Sequence, residues 1–136
     1  MLTRRCLLAS SGALLFARTL AAQGAAGEVR PVLEADVPDL ALENWSATVV
    51  EVSYPPGGAS PSHTHPGITI AYVLEGSIRS KVGDEPERTY TAGQAFLETP
   101  GQVHAVSRNA SATEPARLLA VLLAEKGKPR TTPTSK

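Results

Sequence analysis

Three histidines, all between residues 63 and 104, are the side chains of this 136-residue chain best suited to chemistry. His63 and His65 stand two apart, and an extended segment projects alternate side chains from one face, so both imidazoles can converge on one ion. His104 follows 39 residues after His65, in a separate turn-and-strand unit. Neutral imidazole ligates iron, manganese, nickel, copper or zinc, and a three-nitrogen set leaves coordination positions open for substrate. The same residues also fit a plainer arrangement, an exposed His-Thr-His pair on a loop with His104 as a satisfied polar side chain. Gly57 and Gly58 before the pair and Gly101 before His104 favour the metal, because tight turns then flank both histidine segments.

The elements that must position these residues read as strands. In Trp45–Tyr54, rich in β-branched and aromatic residues, Thr48, Val50, Val52 and Tyr54 share one face. Further strands are expected at Ile68–Leu74, Ser77–Val82, Arg88–Thr91, Gln94–Glu98, Val103–Ser107 and Arg117–Ala124, punctuated by Pro55–Gly58, Glu75-Gly76, Gly83–Pro86, Ala92-Gly93 and Pro100-Gly101. A short helix fits only near Val37–Leu42, where Pro31 and Pro38 keep the region broken. Lys126–Lys136 reads as a flexible tail. Short strands with turns between them, and no long helix, indicate an all-β sandwich or barrel and disfavour a parallel α/β fold.

Composition narrows the function. Lys plus Arg equals Asp plus Glu at 13 each, which gives no basic excess for a nucleic-acid partner. One cysteine, Cys6, excludes an intramolecular disulfide and a multi-cysteine zinc site. Residues 1–26 read as an export signal: Arg4 and Arg5, an apolar stretch to Leu20, then small residues. The stretch is short of the roughly 20 residues that span a bilayer, so no stable membrane span is expected. Thr3–Leu8 also resembles a twin-arginine motif, of the kind that carries folded and often metal-loaded proteins to the bacterial periplasm. Cleavage would leave 10 basic against 13 acidic residues and no cysteine, which suits an oxidising compartment.

The segments Pro56–Gly76 and Gly93–His104, with Asn109 beyond, resemble the two motifs of the cupins. The resemblance covers most of residues 45–124 and implies a double-stranded β-helix, a closed jelly-roll barrel. It further implies a metal inside, bound by His63, His65 and His104. Residues 45–125 then form the barrel, and residues 27–44 an N-terminal arm of the kind that packs between subunits of a homodimer.

Two departures from the family pattern stand out. Thr69 occupies the position, four residues after His65, where the family places a glutamate, and a neutral hydroxyl is a poor substitute for a carboxylate. Thr99 replaces a proline, with Pro100 beside it, and Asn109 sits one place late. The site then has three readings: three histidines completed by water or substrate; Glu98 reaching inward to restore the carboxylate; or a degenerate site. On three neutral imidazoles a divalent ion keeps its full charge and favours anionic ligands. Tyr72 is a candidate hydrogen-bond donor in the pocket or a core aromatic. Trp45 and Phe96 are core candidates. Gln102 and Arg108 either recognise a substrate carboxylate or lie solvated in loops.

The lack of a recognisable nucleophile arrangement argues against covalent catalysis, and the cupin resemblance, with the export signal, implies an exported, metal-dependent oxidoreductase. The most concrete version is a non-haem dioxygenase with iron as the favoured metal, acting on a small anionic molecule. No separate catalytic acid or base is identified. A non-catalytic metal or small-ligand binder, and an isomerase or lyase on the same scaffold, are the alternatives.

Overall fold

A computed structural model describes residues 29–134; the expected export signal lies outside them. The described residues form ten strands: β1 (Trp45–Tyr54), β2 (Ala59–Ser60), β3 (His63–Thr64), β4 (Ile68–Glu75), β5 (Ser77–Val82), β6 (Arg88–Thr91), β7 (Ala95–Glu98), β8 (Val103–Asn109), β9 (Ala116–Glu125) and β10 (Thr132–Pro133). They make two antiparallel sheets. One has the order β1-β9-β4-β7, the other β10-β3-β8-β5-β6 with β2 also paired to β8. The chain passes repeatedly from one sheet to the other, so the histidine segments of β3 and β8 become neighbours in one sheet while β4 and β7 meet in its counterpart.

The all-β, cupin-like expectation holds, but the closed jelly-roll barrel does not. Among the described residues no ladder joins the two sheets, and each ends in unpaired edges: β1 and β7 in the first, β10 and β6 in the second. Passages between the sheets are interrupted at Pro55–Gly58, Pro66-Gly67, Glu75-Gly76 and Pro100-Gly101. Proline lacks a donor and these turns bend the chain out of register, so the strand ladders stop at the corners. Gly67 is required at its corner, since a Cβ there would run into the Leu123 carbonyl of β9.

Alternation along the strands builds the interior between the sheets. Val50, Val52 and Tyr54 of β1, Ala71 and Val73 of β4, Phe96 of β7 and Leu118, Ala120 and Leu122 of β9 all turn inward, joined by Ile78 of β5. The helix expected near Val37–Leu42 is absent; residues 29–42 run without regular structure and leave Val29, Val37 and Leu42 exposed. The segment expected to be a flexible tail folds back instead. Thr132 and Pro133 pair with Thr64 and His63, and Thr134 bonds Ser62 through its backbone N–H (3.1 Å) and its hydroxyl (2.7 Å). Its short length and two-residue ladder carry no hydrophobic periodicity, so its partner is visible only in three dimensions.

Candidate metal centre

Local geometry delivers each ligand. β3 pairs with β8 in the register that sets His63 opposite His104. His65 follows at the end of the same extended segment and is buried. The turn before β8 is tied to it, because Gly101, in a left-handed conformation, donates its N–H to the His65 carbonyl at 2.9 Å. In the other sheet β7 buries Phe96 and Glu98 on the inner face, and Glu98 lies opposite Thr69 of β4.

His63, His65, His104 and Glu98 each bring one ligand atom to the same place, all within 4.8 Å of one another. Glu98 Oε2 stands 3.5 Å from His65 Nε2 and 3.1 Å from His104 Nδ1. Rings of His63 and His65 are 4.9 Å apart between centroids, and those of His63 and His104 5.1 Å. Burial, aided by the nearby His104 and His65, lowers the His63 pKa below the imidazole value of 6.5 against the opposing pull of the Pro61 carbonyl and Glu98. The shift favours the neutral imidazole, the form a metal ligand requires.

The histidines are oriented from behind. His63 Nδ1 meets the Pro61 carbonyl at 2.8 Å and His65 Nδ1 the Arg130 carbonyl at 2.7 Å. A ring that donates Nδ1–H to a carbonyl keeps its Nε2 lone pair for a metal. His104 is turned the other way: its Nε2 lies 2.8 Å from Ser80 Oγ, and Nδ1 faces the cluster. In the tautomer that donates Nε2–H to Ser80, Nδ1 presents a lone pair to a carboxylate oxygen.

Two acceptors facing each other repel, and that is the observation that tests whether a cation fits. Glu98 Oε2 and His104 Nδ1 are fully buried without a hydrogen-bond partner, as is Thr69 Oγ1. The 3.1 Å approach of the first two is close but lacks hydrogen-bond geometry. Leaving a buried polar atom unsatisfied costs about 1–3 kcal/mol, more when it is charged. A divalent transition metal among three imidazoles and a carboxylate satisfies the carboxylate oxygen and the imidazole nitrogen at once. The residues fit such an ion.

The site opens on a cavity of about 380 Å³ whose walls are largely apolar, among them Val50, Val52, Leu118 and Leu122. Arg130, Thr131 and Pro133 of the C-terminal segment also line it. Thr69 lines it beside Glu98. Tyr72, a candidate pocket residue, turns to the outer face of its sheet, because it alternates with inward Ala71 and Val73. Gln102 closes its own turn by accepting the Thr99 N–H at 3.2 Å, and Arg108 lies on the outside, 3.5 Å from Glu87. Asn109 ties corners together, donating to the Glu114 carbonyl at 2.7 Å and accepting from the Ser111 N–H at 2.9 Å.

Residues 50–122 match the family profile described as the cupin domain. The chain belongs to the cupin family. A 73-residue stretch of this cupin is 33% identical to germin-like protein subfamily 2 member 2 of Arabidopsis thaliana, covering 50% of this chain and 33% of that one. The chain spans about a third of the length of the curated relatives it matches. A conserved, uncharacterised Klebsiella pneumoniae protein with a double-stranded β-helix domain is similar at 26% identity and a TM-score of 0.55, over 79% of this chain and 91% of that one. Oxalate oxidase in complex with the substrate analogue glycolate shares the fold of this cupin, at 19% identity and a TM-score of 0.53, over 71% and 59% of the two chains.

Sequence reasoning missed Ser80, Ser107 and Arg130. Arg130 lies on a segment without periodic signal. Ser107 was hidden by a bulge: β5 pairs Lys81 with Val106 but Val82 with His104, so Ala105 is extra. An extra residue reverses the parity, and His104 and Ser107, three apart, both turn inward.

Proposed function

We infer that this cupin is a metal-dependent oxidoreductase of the dioxygenase kind, acting on a small organic anion. The observation that carries the reading is the convergence of His63, His65, Glu98 and His104 within 4.8 Å at the wall of a cavity. A bound divalent transition metal, iron in our reading, supplies Lewis-acid and redox chemistry at that wall. Glu98 contributes one negative charge, so the centre carries one unit of charge less than three histidines alone would leave, and remains cationic. The carbonyls of Pro61 and Arg130 hold two imidazoles in the ligating tautomer. The apolar walls keep water from the reacting face. The fold shared with oxalate oxidase, whose structure holds glycolate, supports a small carboxylate as the substrate head.

Export to the periplasm, supported by Arg4, Arg5 and the apolar stretch after them, completes the reading. Pairing of two chains through the arm is supported by the exposed Val29, Val37 and Leu42. The test is metal analysis of protein made without a histidine tag, followed by oxygen uptake against small carboxylic acids, diketones and thiols. About one iron per chain with uptake on one of these classes supports the enzyme. Stoichiometric metal without uptake reduces it to a binding protein, and a folded chain that takes no iron, manganese or cobalt overturns the site.

A further inference from the structure

We propose that the cavity holds a second, uncharged recognition point, the hydroxyls of Tyr54, Ser60 and Ser107, and that the substrate is an acid with a hydrogen-bond-accepting oxygen at its far end. This rests on the metal-centre reading for the head of the substrate, and on independent geometry for its tail.

Tyr54 Oη lies 2.7 Å from Ser60 Oγ and 2.9 Å from Ser107 Oγ. All three residues line the same cavity as the histidines, and Tyr54 and Ser107 are 6% and 5% exposed, so their polar atoms have little access to bulk water. A count of hydrogens decides what they offer. Three hydroxyls carry three hydrogens, and the two bonds among them use two. Among the described residues no other acceptor is bonded to any of the three, so one O–H is left to donate into the cavity. A donor held in a largely apolar chamber is a selective feature, because a ligand that lacks the matching acceptor leaves it unpaired.

The ladder places this point relative to the metal ligands. β8 carries two inward rungs: His104 opposite His63, and Ser107 opposite Ser60. Across the bulge they face Val82 and Ser80 of β5, two residues apart, about 7 Å at ~3.3 Å per residue. The bulge at Ala105 is what brings both rungs to the same face. The other sheet lines the same cavity with Val52, Leu118 and Leu122. The matching ligand has an anionic head at the histidines, an apolar middle, and a carbonyl, hydroxyl or ether oxygen at the hydroxyl triad.

The test uses the full chain and an uncharged probe that needs no metal. Acetophenone is compared with α-methylstyrene, which has nearly the same shape and no acceptor oxygen. In wild type, acetophenone is expected to bind about 10-fold tighter, the effect of one well-placed hydrogen bond, and its carbonyl stretch to shift to lower frequency. In the Tyr54→Phe/Ser60→Ala/Ser107→Ala variant both the preference and the shift are expected to vanish. Equal binding of the two probes by wild type overturns the proposal without recourse to any variant, and so does a preference that survives in the triple variant. Cobalt(II) uptake by the same wild-type preparation reports separately on the histidine–glutamate end, so failure of the metal reading and failure of the hydroxyl subsite give different results.

Discussion

Thr69 and Glu98 face each other across the β4–β7 ladder, and both turn into the cavity. The cupin pattern puts a glutamate at the threonine's position; here the carboxylate stands on the paired strand, at the same rung and on the same face. Directly opposed residues of an antiparallel pair have Cβ atoms only ~5 Å apart, so a side chain as long as glutamate reaches the same ion from either strand.

Replacing Glu98 by Gln therefore removes a ligand charge and is expected to weaken cobalt(II) or manganese(II) binding by more than the roughly 10–100-fold lost when a supporting partner is removed. The exchange Thr69→Glu/Glu98→Thr returns the carboxylate across the rung and is expected to recover most of that affinity. Calorimetric titration of the three proteins decides it. Unchanged affinity in Glu98→Gln would show that the carboxylate is a bystander.

Ser80 acts through His104. Its hydroxyl, 2.8 Å from Nε2, holds the ring so that Nδ1 faces Glu98. Ser80→Ala is expected to lower metal affinity about 10-fold and to alter the visible absorption of the cobalt(II) form, while Ser80→Thr restores both. An unaltered cobalt spectrum in Ser80→Ala assigns the serine to packing alone.

The C-terminal segment is expected to matter for a residue 65 positions away. Ending the chain after Pro129 removes the Arg130 carbonyl that accepts from His65 Nδ1 at 2.7 Å, together with the β10–β3 ladder. Metal affinity should fall about 10-fold, and the loss should be absent from Arg130→Gln, which keeps the carbonyl. Equal losses in the two proteins would place the effect in the guanidinium instead.

The lowered pKa of His63 makes the metal-free protein acid-sensitive. Unfolded, this histidine titrates near 6.5; folded, burial holds it lower. Between those two values the unfolded chain binds more protons, so stability rises with pH there and falls as the solution is acidified through 6.5. Urea unfolding in the presence of a chelator, followed downward from about pH 8 to about pH 5, should show a shallower decline in His63→Gln than in wild type. Parallel profiles would assign the decline to other groups.

Much of this protein is written in short-range pattern. Alternation in Trp45–Tyr54 and the turn residues after it place β1 and its inward face, because a pleated strand has only two sides and apolar residues choose the dry one. The two-residue spacing of His63 and His65 places two imidazoles together for the same reason. His104 was a candidate from its residue type and the turn before it, and the family resemblance implied that it joins them. What local pattern does not contain is the pairing of distant strands. Glu98 joins the ligands because β7 lies on β4 in one particular register; Ser107 enters the cavity because a bulge reverses parity within β8; and Arg130 meets His65 because a two-residue strand finds β3. The open edges of the two sheets belong here too, since closure depends on whether ladders continue past the corners. Sequence by itself determined the strands, their inward faces and the pairing of His63 with His65, all properties of neighbours along the chain. The fourth ligand, the tautomers and the far end of the cavity were decided by tertiary structure, because each depends on which strand lies beside which, and by how many residues it is shifted.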